Sequence, residues 1–284
     1  IDIVMIHDHP PTVDREIKPI SSMVHFDIAH HHRDLYQPPR ELRVHPWLGP
    51  PVTEPVFLFD PDHFFEWAQA GARRQFIRAD HKLVRAQTVL HKARTTQTKL
   101  PESSRWLKTY LQAVIEGANG ISTLHRFPAA GRRILLDLES ACRILDFEDV
   151  YTAVVSLLGA QALEPGQLSD HVSAWEQAYS VAADEMPDVL ISPVRWDYFH
   201  AGVRALLDSG QALAAMWPMV TTWERAMHIL YTVDRIAPHR PAWDAFLSSL
   251  DLTEADRQQR QEQLDHFLDR MDYLVEHWAD KVGA

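Results

Sequence analysis

The sequence is poor in cysteine, because Cys142 is the only one among 284 residues. A single thiol cannot form an internal disulfide, and a chain with so little cysteine suits a reducing compartment. Long apolar runs are absent as well, since no stretch approaches the roughly 18 residues that a membrane-spanning helix needs. We therefore expect a cytoplasmic protein that does not enter the membrane.

Basic residues are scarce relative to acidic ones. Lysine and arginine total 28 against 39 aspartates and glutamates, which gives a formal net charge of -11 at pH 7. Nucleic-acid binding depends on clustered lysine and arginine side chains that release counterions from phosphates. The charge therefore argues against a nucleic-acid partner and favours small or cationic ones, unless it serves solubility alone. The sequence does not indicate an oligomeric state.

The hydrophobic pattern changes near residue 60. Before it, "IDIVMIHD", "SSMVHFDIAH" and "PVFLFD" are predicted strands, and "HPPTVDREIKP" is a predicted turn region. After it, the apolar residues follow the period of helices to the end of the chain. The sequence thus predicts an α+β protein, with a strand-rich domain over 1–60 and a mostly α-helical bundle domain over 61–284.

The clearest predicted helix lies at the C-terminal end. Thr253 and Asp256 have the spacing of a capping box, and apolar residues from Leu264 to Trp278 recur every three or four positions. Proline or glycine residues separate the other helical patterns. The predicted helical segments are a long one from Asp60 toward Arg94 and others near 102–119, 131–146, 147–159, 169–185, 194–208, 211–231 and 253–280.

An acidic residue interrupts each of the first two predicted strands. Asp2 and Asp27 are both flanked by apolar residues, and a carboxylate in a buried strand is unfavourable unless it meets a metal ion or a partner. Carboxylates on neighbouring strands are suitable ligands for Mg²⁺, together with the phosphates of a nucleotide. The alternative is that both acids lie at strand ends and stay solvated.

These strands resemble part of the DNA polymerase β-like nucleotidyltransferase superfamily. "IDIVMI" is similar to the second half of its D-x-D strand, and "VHFDIAH" is similar to the later strand that carries its third acid. The resemblance implies that Asp2 and Asp27 are catalytic metal ligands. It also implies that the first acid and a Gly-Ser loop precede Ile1, so we expect a truncated chain with impaired activity and low solubility.

The helical part resembles the C-terminal domain of bacterial aminoglycoside-adenylyltransferase-like proteins, through "DPDHFFEWAQAGARRQF", "GRRILLDLESACRIL" and "YFHAGVRALLDSGQALAAMWPMVTTWERA". The resemblance implies Mg²⁺-dependent transfer of a nucleoside monophosphate, AMP from ATP, to a hydroxyl of a small acceptor of the aminoglycoside kind. The acceptor can equally be a protein hydroxyl, as in antitoxins that adenylylate a toxin. The alternative from another class is a non-catalytic nucleotide-sensing or protein-interaction module.

Three further residues are candidates for this chemistry. Glu116, in "YLQAVIEGANG", is the candidate general base for the acceptor hydroxyl, and the alternative is a solvated acid at a helix end. Arg132 and Arg133 follow "RFPAAG" at a predicted helix start, where they would bind the phosphates of the nucleotide. For these arginines the alternative is a structural salt bridge.

Histidines and tryptophans form two other patterns. The strand-end histidines offer ligands for a transition metal, but their spacing matches no known zinc motif, so the alternative is a set of surface histidines. The tryptophans have helical spacing and are predicted core residues, unless one of them lines a cleft and stacks on a planar ring. The residues in these two patterns are His7, Asp8, His9, His30, His31, His32, Trp196, Trp217 and Trp223.

Overall fold

A computed structural model describes residues 1–21, 24–101, 105–163 and 166–284, without the side chain of residue 162. In these ranges the chain forms an α+β fold, with a three-stranded sheet followed by a helical bundle. This confirms the predicted α+β class and the predicted helical bundle. Residues 22–23 of the second predicted strand and the start of the predicted helix at 102–104 lie outside the described residues.

The sheet is built from β1 (Asp2–His7), β2 (Arg15–Pro19) and β3 (His25–His32). β3 lies in the middle, parallel to β1 and antiparallel to β2. β2 falls within the stretch predicted to be a turn region. The connection from β2 to β3 closes with a hydrogen bond from the Ile20 N–H to the Val24 carbonyl, at 2.9 Å. This short connection places "REIKP" beside β3, and pairing between strands adjacent in sequence is common.

The prediction of a strand over "PVFLFD" is wrong. Residues 55–60 contain no strand, and the side chains of Val56, Leu58 and Phe59 are 85%, 77% and 86% exposed. An apolar run becomes a strand only when a neighbouring strand offers it backbone hydrogen bonds. β1 and β2 already pair with both sides of β3, so this run has no place beside the central strand.

Two features of the helical part differ from the prediction. The segment from Asp60 toward Arg94 is two helices, and a further helix, α10, was not predicted. The predicted capping box is confirmed, since the Thr253 N–H donates to the Asp256 carboxylate at 2.9 Å. In the described ranges the α-helices are α1 (Gly49–Thr53), α2 (Phe64–Arg73), α3 (Ala79–Gln97), α4 (Trp106–His125), α5 (Ile134–Ile144), α6 (Glu148–Leu157), α7 (Gln167–Glu185), α8 (Trp196–Asp208), α9 (Ala212–Thr232), α10 (Arg240–Ser249) and α11 (Arg257–Val282).

Helix α4 is the centre of the bundle. From Tyr110 through Leu124, every residue other than Gln112 is buried. A helix that is covered on nearly all sides needs neighbours all round, and α4 packs against α3, α5, α6, α9 and α11. Within the described ranges, no helix has both the length and the apolar character needed to cross a bilayer.

A smaller core lies between the sheet and the first helices. Tyr36, Leu42 and Val52 are buried there with two alanines of α2, and Val4 and Ile6 of β1 pack against them. This core therefore continues past residue 60, although the division of the chain into two domains at that point stays a prediction.

The side chain of Arg85, on α3, connects this small core to the bundle. Its guanidinium donates to the carbonyl oxygens of Arg43 and Phe76 and stacks 3.9 Å from the centroid of the Phe76 ring. Arg85 is only 1% exposed, and burial lowers its pKa to about 10. The buried guanidinium joins segments that are far apart in sequence.

Two glycines with the same backbone conformation test how tightly the turn that follows α6 packs against its neighbours. Gly159 and Gly210 have φ angles of 74° and 75°. A Cβ at Gly159 would lie 1.8 Å from the Leu250 carbonyl oxygen, whereas one at Gly210 would meet nothing within 4 Å. We expect Gly210→Ala to cost about 1 kcal/mol, from the left-handed backbone alone, and Gly159→Ala to cost about 3 kcal/mol or more.

Urea denaturation of the two variants checks this prediction. Gly210→Ala is the matched control, since it has the same backbone strain without the clash. Equal losses of unfolding free energy in both variants would contradict the prediction, because they would show that the Leu250 backbone moves aside.

Candidate functional site

The two acids predicted from the strands lie side by side. Asp2 of β1 is the register partner of Asp27 of β3. Register partners in parallel strands have their side chains on the same face of the sheet, so both carboxylates are on one face. Asp27 is only 5% exposed, whereas Asp2 is exposed. The structure therefore brings the acids together, with one buried and one open to solvent.

Two arginines hold the buried acid. Arg15 of β2 donates from Nε and Nη2 to the two carboxylate oxygens of Asp27, each at 2.5 Å. Arg195, in the short 3₁₀ turn before α8, adds a hydrogen bond from Nη2 at 3.3 Å. Asp27 thus connects the sheet to the helical bundle through charge-assisted hydrogen bonds.

The position of Arg15 follows from the register of the antiparallel pair. Ile17 is opposite Asp27, so Arg15 is a diagonal neighbour on the same face. Diagonal neighbours are separated by about 7–8 Å, a distance that a long side chain can span.

The arginines control the ionisation of Asp27. Burial alone would raise the pKa of this carboxyl, but the hydrogen bonds from Arg15 and the charges of Arg15 and Arg195 outweigh it, so the pKa lies below its usual value. The hydrogen bond to Asp27 in turn raises the pKa of Arg15. Burial and the nearby Arg195 charge lower the pKa of His25. Asp27 is therefore ionised in the folded protein, and the two arginines beside it carry permanent positive charges.

Of the two arginines predicted to bind phosphate, Arg132 lies near Arg195, whereas Arg133 contacts neither Asp27 nor the arginines around it. Arg132 donates from Nη1 to the backbone carbonyl of Tyr198 at 2.6 Å, and its guanidinium lies 4.1 Å from the centroid of that ring. Arg195 approaches the same ring at 5.4 Å. Arg133 instead faces Asp137, 3.9 Å away on the surface. We call Arg15, Arg132 and Arg195 the arginine cluster.

Glu116 occupies a different position from the one its alternative interpretation gave it. It lies within α4 and is 5% exposed, so the interpretation as a solvated acid at a helix end is wrong. Its carboxylate accepts hydrogen bonds from Thr96 at 2.6 Å and Gln112 at 2.9 Å, and pairs with Lys92 at 2.9 Å. None of the contacts in the described ranges joins Glu116 to Asp2 or Asp27. Its predicted role as a base stays a prediction.

Glu116 borders a cavity between α4 and α9, of about 590 Å³. We call it the α4–α9 cavity. Its wall also includes Trp47 and the loop around Val189, whose carbonyl accepts a hydrogen bond from Arg195 at 2.7 Å. Of the predicted tryptophans, Trp217 lines this cavity, while Trp223 is fully buried and Trp196 packs against the main core.

The strand-end histidines make hydrogen bonds to one another and to neighbouring side chains. The imidazoles of His7 and His30 are 2.9 Å apart, and the other ring nitrogen of His30 is 3.2 Å from Glu16. His31 pairs with the Tyr36 hydroxyl at 2.7 Å. Since the His30 side chain is only 9% exposed, the interpretation as surface histidines is wrong for it. In the described ranges no three histidine, cysteine or acidic side chains are grouped to hold a metal ion.

Two charged residues of the site were not predicted from the sequence. Arg15 lies in the stretch predicted to be a turn, and "REIKP" carries no clear strand pattern, because three of its five residues are charged. Arg195 is 168 residues from Asp27 in sequence. Nothing in the sequence alone indicates that pairing.

Comparison of the chain with known protein families, with curated proteins and with solved structures found no match.

Replacing Asp27 with asparagine tests the ion pair that joins the sheet to the bundle. Removing one member of a buried pair leaves an uncompensated charge, so we expect Asp27→Asn to lose about 3 kcal/mol of unfolding free energy at neutral pH. Because the folded-state pKa of Asp27 is lowered, its contribution is present above the unfolded value of about 4 and is lost as pH falls below it. The difference between wild type and variant should shrink over that acidic range.

Urea denaturation of both proteins at a series of pH values gives this difference. Asp8→Asn is the matched control, because Asp8 pairs with Arg33 on the surface and is 79% exposed. We expect it to lose less than about 1 kcal/mol. A loss for Asp27→Asn that is as small as the control, or independent of pH, would contradict the prediction.

Proposed function

We propose that the protein is a nucleotidyltransferase, which moves a nucleoside monophosphate, AMP from ATP, to an acceptor hydroxyl. The observation that carries the proposal is the pair of register partners Asp2 and Asp27 on one face of the sheet, next to the arginine cluster. The resemblance of the strand and helix sequences to nucleotidyltransferases supports the same conclusion. Transfer of this kind needs acidic metal ligands and positive charge for a triphosphate in one place.

The acid pair suits a magnesium ion. Mg²⁺ is bound through one or two carboxylates, with waters and phosphate oxygens as the remaining ligands. The Asp2 carboxylate makes no hydrogen bond to the described residues. A carboxylate has about four acceptor sites, and Asp27 uses three of them for its arginine contacts. When bound, Mg²⁺ would neutralise charge on the triphosphate and polarise the phosphorus that is attacked.

The arginine cluster would hold the phosphates. The Arg15 side chain is 47% exposed, so it can turn from Asp27 to an incoming phosphate, which accepts the same two-pronged hydrogen bonding. Arg195 is 10% exposed and keeps its position through the Val189 carbonyl. In this arrangement Arg195 fixes the geometry of the site while Arg15 responds to the ligand.

The acceptor is a small molecule with a hydroxyl, of the aminoglycoside kind, or a hydroxyl of a protein. For Glu116 to act as the base for that hydroxyl, its carboxylate must be ionised and reach the acceptor through the α4–α9 cavity. The Lys92 ammonium lies 2.9 Å from this carboxylate.

A second candidate function is a non-catalytic module that binds a nucleotide or a protein. The observation that favours it is the satisfaction of Asp27 by two arginines, which needs no metal ion. In such a module Asp27 joins the sheet to the bundle, and the helical surface binds the partner.

Binding of ATP with and without Mg²⁺ separates the two functions. We expect weak, millimolar-range binding of Mg·ATP, which Asp2→Asn weakens by about tenfold, or about 1.4 kcal/mol. Asp2 is the residue to change because its side chain makes no hydrogen bond to the described residues. The substitution should therefore leave folding unaffected. Asp14→Asn, an exposed acid just before β2, is the matched control. Isothermal titration calorimetry gives the affinities.

Incubation with ATP, Mg²⁺ and a panel of aminoglycosides, followed by mass spectrometry, tests the transfer itself. We expect slow addition of an adenylyl group that requires Mg²⁺ and Asp2. Binding of ATP that is independent of Mg²⁺ and of Asp2 would contradict the transferase and support the module.

A further inference from the structure

The α4–α9 cavity has the size and lining of a small-molecule site. Its volume of about 590 Å³ lies in the range of about 300–1,000 Å³ that such sites occupy. Apolar side chains from α4, including Leu111 and Ile115, form one wall, and Trp217 of α9 faces the space from another. Ligand sites of this type combine an apolar wall with a few polar groups that orient the ligand.

Most charges on the cavity wall are paired with one another. Glu116 pairs with Lys92 at 2.9 Å. The Arg225 Nε lies 2.5 Å from Asp188, whose other carboxylate oxygen accepts two backbone N–H groups of the adjoining loop. These groups have partners within the protein and do not need a ligand.

Glu224 and Lys108 are the exceptions, since neither side chain makes a hydrogen bond or an ion pair in the part of the chain that the structure describes. Lys108 is exposed, whereas Glu224 is partly buried. Burial raises its pKa, an effect that the charges of Lys108 and Arg225 only partly oppose. Glu224 is partly buried, and a carboxyl that loses part of its hydration without gaining a donor is destabilised. A ligand that supplies a donor here would therefore gain binding energy.

We propose that the α4–α9 cavity binds a small organic amine with an aromatic body, its ammonium against Glu224 and its ring against Trp217. Of the two unpaired charges on the wall, the negative charge of Glu224 is partly buried and the positive charge of Lys108 is exposed to solvent, which favours a cation over an anion inside the cavity. The overall charge of -11 also draws cations toward the protein. This inference does not depend on the proposed transferase activity, since it uses neither Asp2, Asp27 nor the Glu116 carboxylate, although the cavity is the one through which Glu116 would reach an acceptor.

Tryptamine, an indole with a primary amine, is a suitable probe. In calorimetric titrations of the full chain, we expect Glu224→Gln to weaken tryptamine binding about tenfold, because the glutamine loses the charge and keeps the shape. Glu276→Gln changes an exposed acid on α11 that does not line the cavity, and this variant should bind like the wild type.

A second variant changes the affinity in the opposite direction. Lys108 is exposed on the cavity rim, and its charge opposes an ammonium near Glu224. We expect Lys108→Ala to bind tryptamine about two- to threefold more tightly. Opposite effects of Glu224→Gln and Lys108→Ala cannot both come from a loss of folding.

A pair of aromatic variants tests the location. Glu224 also borders a second cavity, lined by Tyr231 and by basic residues that include His228 and Arg240. We expect Trp217→Leu to weaken tryptamine binding about threefold and Tyr231→Leu to leave it unchanged. The reverse pattern would place the amine in the second cavity and overturn the proposal.

The anionic analogue indole-3-propionate completes the test. We expect it to bind at least tenfold more weakly than tryptamine. The proposal is overturned by equal binding of the two compounds, by the absence of tryptamine binding to the wild type, or by unchanged binding to Glu224→Gln.

Discussion

The buried carboxylate of Asp27 is the interaction on which the arrangement of this protein depends. It accepts two hydrogen bonds from Arg15 of the sheet and one from Arg195 of the bundle. A buried charge is tolerated only with such partners, so this one group joins the central strand, its neighbour β2 and the helical part. Any ligand that binds at the acid pair must act on this connection.

The same group is central to both proposed functions. In the ion pairs with Arg15 and Arg195, the charge of Asp27 is balanced without a metal ion. As part of an acid pair with Asp2, it shares one face of the sheet with Arg15, whose side chain is half exposed. A phosphate would take one guanidinium from Asp27 and leave Arg195 in place. Binding of a nucleotide would then loosen the link within the sheet while preserving the link to the bundle.

The features that the sequence predicts correctly are those set by neighbouring residues. The capping box at Thr253 and the long amphipathic helix after it depend on contacts within a few positions, and both are confirmed. The acid pair was also predictable, because apolar alternation placed Asp2 and Asp27 in strands.

The features that were missed depend on distant partners. "PVFLFD" has the composition of a strand but no strand to pair with. "REIKP" is polar, yet it forms a strand because it pairs with β3. The role of Arg195 requires the bundle to fold back onto the sheet. Only the structure shows that Glu224 has no ion-pair partner, because it pairs Lys92 with Glu116 and Arg225 with Asp188.

The exposed run at Val56, Leu58 and Phe59 has a consequence for handling the protein. Contact between such surfaces on two molecules releases ordered water, and this driving force weakens on cooling. Clustering of the chain through this run would therefore increase as the solution is warmed and reverse in the cold. Light scattering that rises with temperature well below the unfolding transition is the signature of that behaviour.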